Sequence, residues 1–135
     1  YMPHEIAVTK EGSIILSDRQ NHRISFFSKD GILIKRVGEY GEGKEAGGNQ
    51  FSEPHGIAVS NSGNIFVCDR YNFRIQELNS AGSFLTQWYT TGNLDNSNHF
   101  PLGITTTKDG NIYITDHYAN CVQKYSGKGK NYFAR

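Results

Sequence analysis

Histidine, arginine, aspartate and tyrosine recur at fixed spacings in this chain, and their chemistry sets the first question. His4 and His55 each follow a proline and lie 51 residues apart. Imidazoles that folding brings together are donors for Zn²⁺, so these two are the candidate metal ligands. The pairs Asp18-Arg19 and Asp69-Arg70 recur at the same distance. Arg19 and Arg70 sit where a turn tip would leave them free to touch a partner, with Tyr71 beside one and His117-Tyr118 in the matching turn further on. Arg19, Arg70, Tyr71, His117 and Tyr118 are therefore the candidate binding residues. Ser17, Asp18 and His22 are neighbours in sequence, which is not the geometry of a triad. No phosphate-binding glycine loop, Cys-x-x-Cys pair, nucleophile elbow or calcium loop is present.

The elements that must position these residues come from an internal repeat. Pro3-His4-Glu5-Ile6-Ala7-Val8, Pro54-His55-Gly56-Ile57-Ala58-Val59 and Pro101-Leu102-Gly103-Ile104-Thr105-Thr106 align. Nine residues after each proline stands Gly12, Gly63 or Gly110, and six further on Asp18, Asp69 or Asp116. Apolar runs too short for helices alternate with turn chemistry such as Lys29-Asp30-Gly31, so each unit reads as a four-stranded antiparallel meander. The strands of the first unit are Ile6–Val8, Ser13–Ser17, Arg23–Phe27 and Ile32–Val37. The repeats run over residues 1–50, 51–99 and 100–135, the last stopping near the start of its fourth strand.

Four strands per repeat of this length predict an all-β fold of about three propeller blades. Three fall below the roughly 4–8 blades that close a propeller. The chain, which begins Tyr1-Met2, is thus expected to be a fragment of a six-bladed or similar propeller. The remaining blades would come from a parent chain or, less favoured, from another copy.

Charge and composition narrow the partners. The 135 residues carry a formal charge of +1. By segment the balance is +2 over residues 1–37, −3 over 38–88 and +2 over 89–135, which is no continuous basic stripe for nucleic acid. The longest apolar runs, such as Ile14-Ile15-Leu16, fall far short of the ~20 residues that span a bilayer, so no membrane partner is expected. The lack of an Asn-x-Ser/Thr sequon leans toward the cytoplasm. Cys68 and Cys121 allow at most one bridge, and their spacing leaves open whether they meet.

Pro54-His55-Gly56-Ile57-Ala58-Val59, then Gly63-Asn64-Ile65-Phe66-Val67, then Asp69-Arg70-Tyr71-Asn72-Phe73-Arg74-Ile75 resembles the NHL repeat. The likeness covers nearly the whole chain outside Gly38–Gln50 and Tyr89–His99. In the third repeat Ala119 replaces Asn21 and Asn72, and Cys121 replaces Arg23 and Arg74. The chain is also similar to the propellers of the peptidyl-hydroxyglycine amidating lyases. That resemblance implies zinc on His4 and His55, Arg70 or Arg19 as partner of the substrate carboxylate or oxyanion, and Tyr71 or Tyr118 as base. Similarity to tripartite-motif NHL proteins implies single-stranded RNA binding on a basic rim.

A meander alternates ends, so His4, His55, Leu102 and the turns after each aspartate share one pole with the long inter-blade links. Glycine-rich links such as Gly41-Glu42-Gly43 can be mobile, and variable loops on a rigid scaffold are the usual seat of binding. The expected function is a scaffold that binds a protein or peptide through this pole, without a cofactor. Asp18, Asp69 and Asp116 recur too regularly to be catalytic and are expected to accept turn N–H groups. Arg23 and Arg74 are expected to belong to the same polar frame.

Overall fold

The computed structural model describes residues 2–43, 45–90 and 99–126, and the backbone of residues 131–134. Strands β1 (Pro3–Val8), β2 (Ile14–Asp18), β3 (Arg23–Phe27) and β4 (Leu33–Val37) form the first sheet in chain order. A short parallel pair, β5 (Glu39–Tyr40) and β6 (Gln50–Phe51), lies in the link that follows. The second sheet holds β7 (Pro54–Val59), β8 (Ile65–Asp69), β9 (Arg74–Leu78) and β10 (Phe84–Tyr89). The third holds β11 (Pro101–Thr106), β12 (Ile112–Asp116), β13 (Cys121–Tyr125) and β14 (Asn131–Ala134), so a fourth strand forms beyond the point where the sequence reading stops.

Register explains the repeating landmarks. Each proline opens an inner strand and faces an aspartate that ends the next: Pro3 opposite Asp18, Pro54 opposite Asp69, Pro101 opposite Asp116. Proline is tolerated there because the first residue of a strand need not donate to the ladder. The register then slips between each proline and the third residue after it. Gly12, Gly63 and Gly110 close the first hairpins at φ +87°, +88° and +78°, each donating its N–H to a carbonyl three residues back. Only glycine takes that conformation without strain. After Asp18 and Asp69 comes a single 3₁₀ turn, Arg19–Asn21 or Arg70–Asn72, closed by a left-handed residue, His22 or Phe73.

The sheets pack face to face as blades. Between the first and second lie Ile15, Ile24, Phe26, Phe51, Ile57, Ile65, Val67 and Leu78. Phe66, Cys68, Ile75, Ile112, Ile114 and Tyr125 fill the space between the second and third. The middle blade is covered on both sides, and all of β8 is buried. On the first blade the outward positions stay open: Ile6 is 57% exposed, whereas its repeat equivalent Ile57 is 4% exposed. One blade cannot bury both faces by itself, which is why the repeat has to be stacked. Cys68 and Cys121 are not bridged to each other, and burial raises the Cys68 thiol well above its ordinary range.

Candidate functional site

A buried polar frame underlies the loop-bearing pole, and its best-filled version is in the second blade. Asp69 Oδ1 accepts the Ser52 N–H at 2.8 Å, and Oδ2 accepts Asn72 Nδ2 at 2.9 Å, Arg74 Nε at 2.8 Å and Gln76 Nε2 at 3.2 Å. Burial raises the Asp69 carboxyl, and these bonds oppose the rise. Arg74, with no exposed surface, spends its remaining donors on the carbonyls of Ala46, Gly47 and Gln50 and on Gln87 Oε1. Asn72 grips the same link through the Gly43 N–H and the Gly41 carbonyl. The first link is therefore bound down by the blade it leads into, where its glycines suggested a mobile loop. Residues 91–98 of the second link lie outside the described residues.

Asp18 likewise takes Asn21 Nδ2 and Arg23 Nε at 2.8 Å each. The expected acceptance of turn N–H groups is found at Asp116, whose Oδ1 takes those of Tyr118 and Ala119. The third repeat lacks the asparagine and the arginine, and His99 enters instead: its Nδ1 lies 2.6 Å from Asp116 Oδ2, which also accepts Gln123 Nε2 at 3.0 Å. The sequence marks the vacancy at Ala119 and Cys121 but not its occupant, because His99 arrives from a different strand connection.

Above this frame the structure gathers most of the candidate residues. The His4 and His55 rings meet at a tilt of 51° with centroids 3.9 Å apart. His55 is 5% exposed, and desolvation, then the charges of His4, Arg19 and Arg70, lower its pKa to about 3. The ring is thus neutral near pH 7. Arg70 Nη1 lies 3.4 Å from His55 Nε2, which leaves the proton on Nδ1, a buried atom with no hydrogen-bond partner among the described residues. Arg19 donates to Glu53 Oε2 from Nε at 2.7 Å and from Nη2 at 2.5 Å, and Arg70 Nη1 stands 3.8 Å from the same oxygen. The turn arginines are therefore about one-fifth exposed rather than free at a tip.

Beside Arg70 runs an aromatic ledge. Its guanidinium lies 4.8 Å from the Tyr71 ring centre and 6.0 Å from that of Phe100, within reach of a cation–π attraction. Phe100 meets Tyr71, Phe73 and Tyr118 at 5.9, 4.9 and 5.8 Å. Tyr118 is 64% exposed, and His117 beside it is exposed with its N–H donated to the Phe100 carbonyl. Two residues that the motif reading passed over, Glu53 and Phe100, hold this surface together. Both directly precede a repeat proline, and Glu53 is the charged member of the aligned set Met2, Glu53 and Phe100.

The donors present do not complete a zinc site. His4 and His55 offer two imidazoles, one engaged by a guanidinium proton, and among the described residues no three His, Cys, Asp or Glu side chains converge. A tetrahedral Zn²⁺ wants four ligands, three of them from protein even in catalytic sites.

Comparison with known proteins agrees with the geometry. The family model for the NHL repeat matches residues 51–78 and 98–125. Brain tumor of Drosophila melanogaster is 35% identical over 91 residues, which is 66% of this chain and 8% of that protein. Peptidyl-alpha-hydroxyglycine alpha-amidating lyase 1 of the same organism is 32% identical over 90 residues, 65% of this chain and 17% of that one. The chain thus spans less than a fifth of either relative. Virginiamycin B lyase from Staphylococcus aureus superposes with a TM-score of 0.76 at 18% identity, over 98% of this chain and 41% of that one, a likeness of fold alone. The chain thus carries NHL repeats at residues 51–78 and 98–125 and folds as three blades of a β-propeller.

Proposed function

We propose that the chain is a binding platform for a protein or peptide, engaged at the pole that carries Arg19, Arg70, Tyr71, His117 and Tyr118. The observation that supports this most is the continuous ledge of Arg70, Tyr71, Phe100 and Tyr118, packed at one end and open at the other. Arginine and tyrosine in a partly desolvated cluster are the composition of interface hot spots. The His117→Ala/Tyr118→Ala double variant removes exposed atoms and leaves the frame intact. For peptides selected on the full-length protein, it is expected to weaken binding about tenfold or more at an unchanged melting temperature. Selected peptides that bind wild type and variant alike would place the interface elsewhere.

A second reading, an amidating-lyase-like enzyme, is favoured by the meeting of His4, His55, Arg70 and Tyr71 and by the lyase among the relatives. Turnover of a peptidyl-α-hydroxyglycine by the full-length protein, lost in Tyr71→Phe, decides it. RNA binding draws less support, because Glu53 stands between the paired rim arginines and offsets one of their charges.

A further inference from the structure

Glu53 is the unexplained member of the rim. Its backbone lies at φ +51°, in the left-handed region that side chains seldom adopt. That turn of the chain is held by its own N–H, donated to His22 Nδ1 of the first blade at 3.1 Å. The side chain then reaches back to the same blade, where one oxygen, Oε2, receives both donors of Arg19. Arg70 pairs with the same oxygen at 3.8 Å without a hydrogen bond, its Nη1 meets His55 Nε2 at 3.4 Å, and its Nε is buried with no partner among the described residues. His55, 95% buried, carries an unmet Nδ1 in the same place. Buried donors are nearly always paired, and a ligand acceptor brought to this rim would approach two that lack a partner among the described residues.

Building on the binding reading above, we infer that Glu53 sets the charge selectivity of this rim. It neutralises Arg19 as a built-in counter-ion and leaves Arg70 as the cation for one carboxylate of a ligand. The same Glu53 charge, within 4 Å of Arg70, repels a second negative charge, so a dianionic group such as phosphate is rejected. The ligand carboxylate is a chain end or an acidic side chain of the bound peptide.

Two small probes test this on the full-length protein at constant ionic strength and pH 7.5, with the Arg70 Nε–H signal followed by NMR. Acetate is expected to shift it saturably in the wild type, and inorganic phosphate at least tenfold more weakly. Glu53→Gln keeps the shape, removes the charge and is expected to reverse that order. Glu53→Gly, suited to the left-handed backbone, serves if the glutamine variant misfolds. An unchanged order in the variant that folds, or no saturable acetate shift in the wild type, overturns the inference. A selected peptide with a free terminus, its C-terminal amide and its Asp→Asn or Glu→Gln forms tell a chain end from an acidic side chain. Peptide binding lost in the Tyr118 variant alongside a negative anion result spares the platform and sinks only the role of Glu53. The converse pattern spares Glu53.

Discussion

Arg74 and Arg23 occupy the same position in successive repeats, and comparing their removal tests the buried frame quantitatively. Arg74 has no exposed surface and holds an equally buried Asp69, while the Arg23 side chain is 32% exposed and bonds Asp18. Arg74→Met keeps most of the side-chain volume. It leaves the Asp69 carboxylate without its cation and takes the donor away from the carbonyls of Ala46 and Gly47. Breaking a buried ion pair from one side costs about 3–5 kcal/mol, whereas a half-open pair contributes about 0–1 kcal/mol. Equilibrium guanidinium denaturation of the full-length protein should therefore separate Arg74→Met from Arg23→Met by about 3 kcal/mol. The pH dependence supplies an independent check. Folding already raises Asp69 above its ordinary 3.8. A carboxyl with a raised folded pKa gains a proton on folding, so its charged form counts against the fold at high pH and ceases to as pH falls. Loss of Arg74 raises it further, so the deficit of Arg74→Met is widest at neutral pH and narrows as pH falls toward 3.8. Adding Asp69→Asn should recover much of the loss at pH 7. Equal deficits for the two arginines, or one that ignores pH, would refute the assignment of Arg74 as the clamp.

His55 gives the opposite pH sign. Its folded pKa of about 3 lies below the ordinary 6.5, so its contribution to stability is complete above pH 6.5 and is lost as pH falls toward 3. Its ring nitrogens should show no titration between pH 5 and 7 by NMR, and His55→Phe should flatten that part of the stability profile; a midpoint near 6.5 would remove the desolvated rim. Gly56→Ala should cost about 1–3 kcal/mol by overpacking. A methyl there would lie 2.3 Å from the Leu102 carbonyl oxygen and 3.0 Å from the Ile104 nitrogen of the next blade. A variant as stable as wild type in thermal denaturation would mean that the inner strands stand further apart.

The fold was legible because its landmarks are local. A turn glycine at positive φ, a proline at the head of an inner strand and an aspartate opposite it each follow from backbone constraints within one hairpin, and all three repeat. The link after the first blade was not legible. Its glycines suggest looseness, but Gly41 and Gly43 are held by the Asn72 amide of the 3₁₀ turn, Gly47 by the Arg74 guanidinium and Gln50 by the Gln76 amide, a relation no window of sequence contains. The same holds for His99. The sequence shows a missing arginine at Cys121, while the side chain that meets Asp116 in its place comes from ahead of β11. At the rim, most of the candidate residues gather at one pole. The pairing of Arg19 with Glu53 spans two blades, and only their stacking reveals it.

Repetition itself separates scaffold from function in this chain. Where the three repeats agree, the shared residue has a structural duty: Asp18, Asp69 and Asp116 anchor the turns, and Gly12, Gly63 and Gly110 close the hairpins. Where they disagree on the same geometric spot, no backbone need dictates the residue. The position before the proline is Met2, Glu53 or Phe100; after it, His4, His55 or Leu102; and after the aspartate, Arg19, Arg70 or His117. These varied positions fall at one pole, where His4 meets His55, Arg19 meets Glu53 and Arg70 meets Phe100. A ligand bound at that end would read residues from all three blades at once, so substitutions in any one blade should change its affinity while leaving the hairpins beneath unaltered.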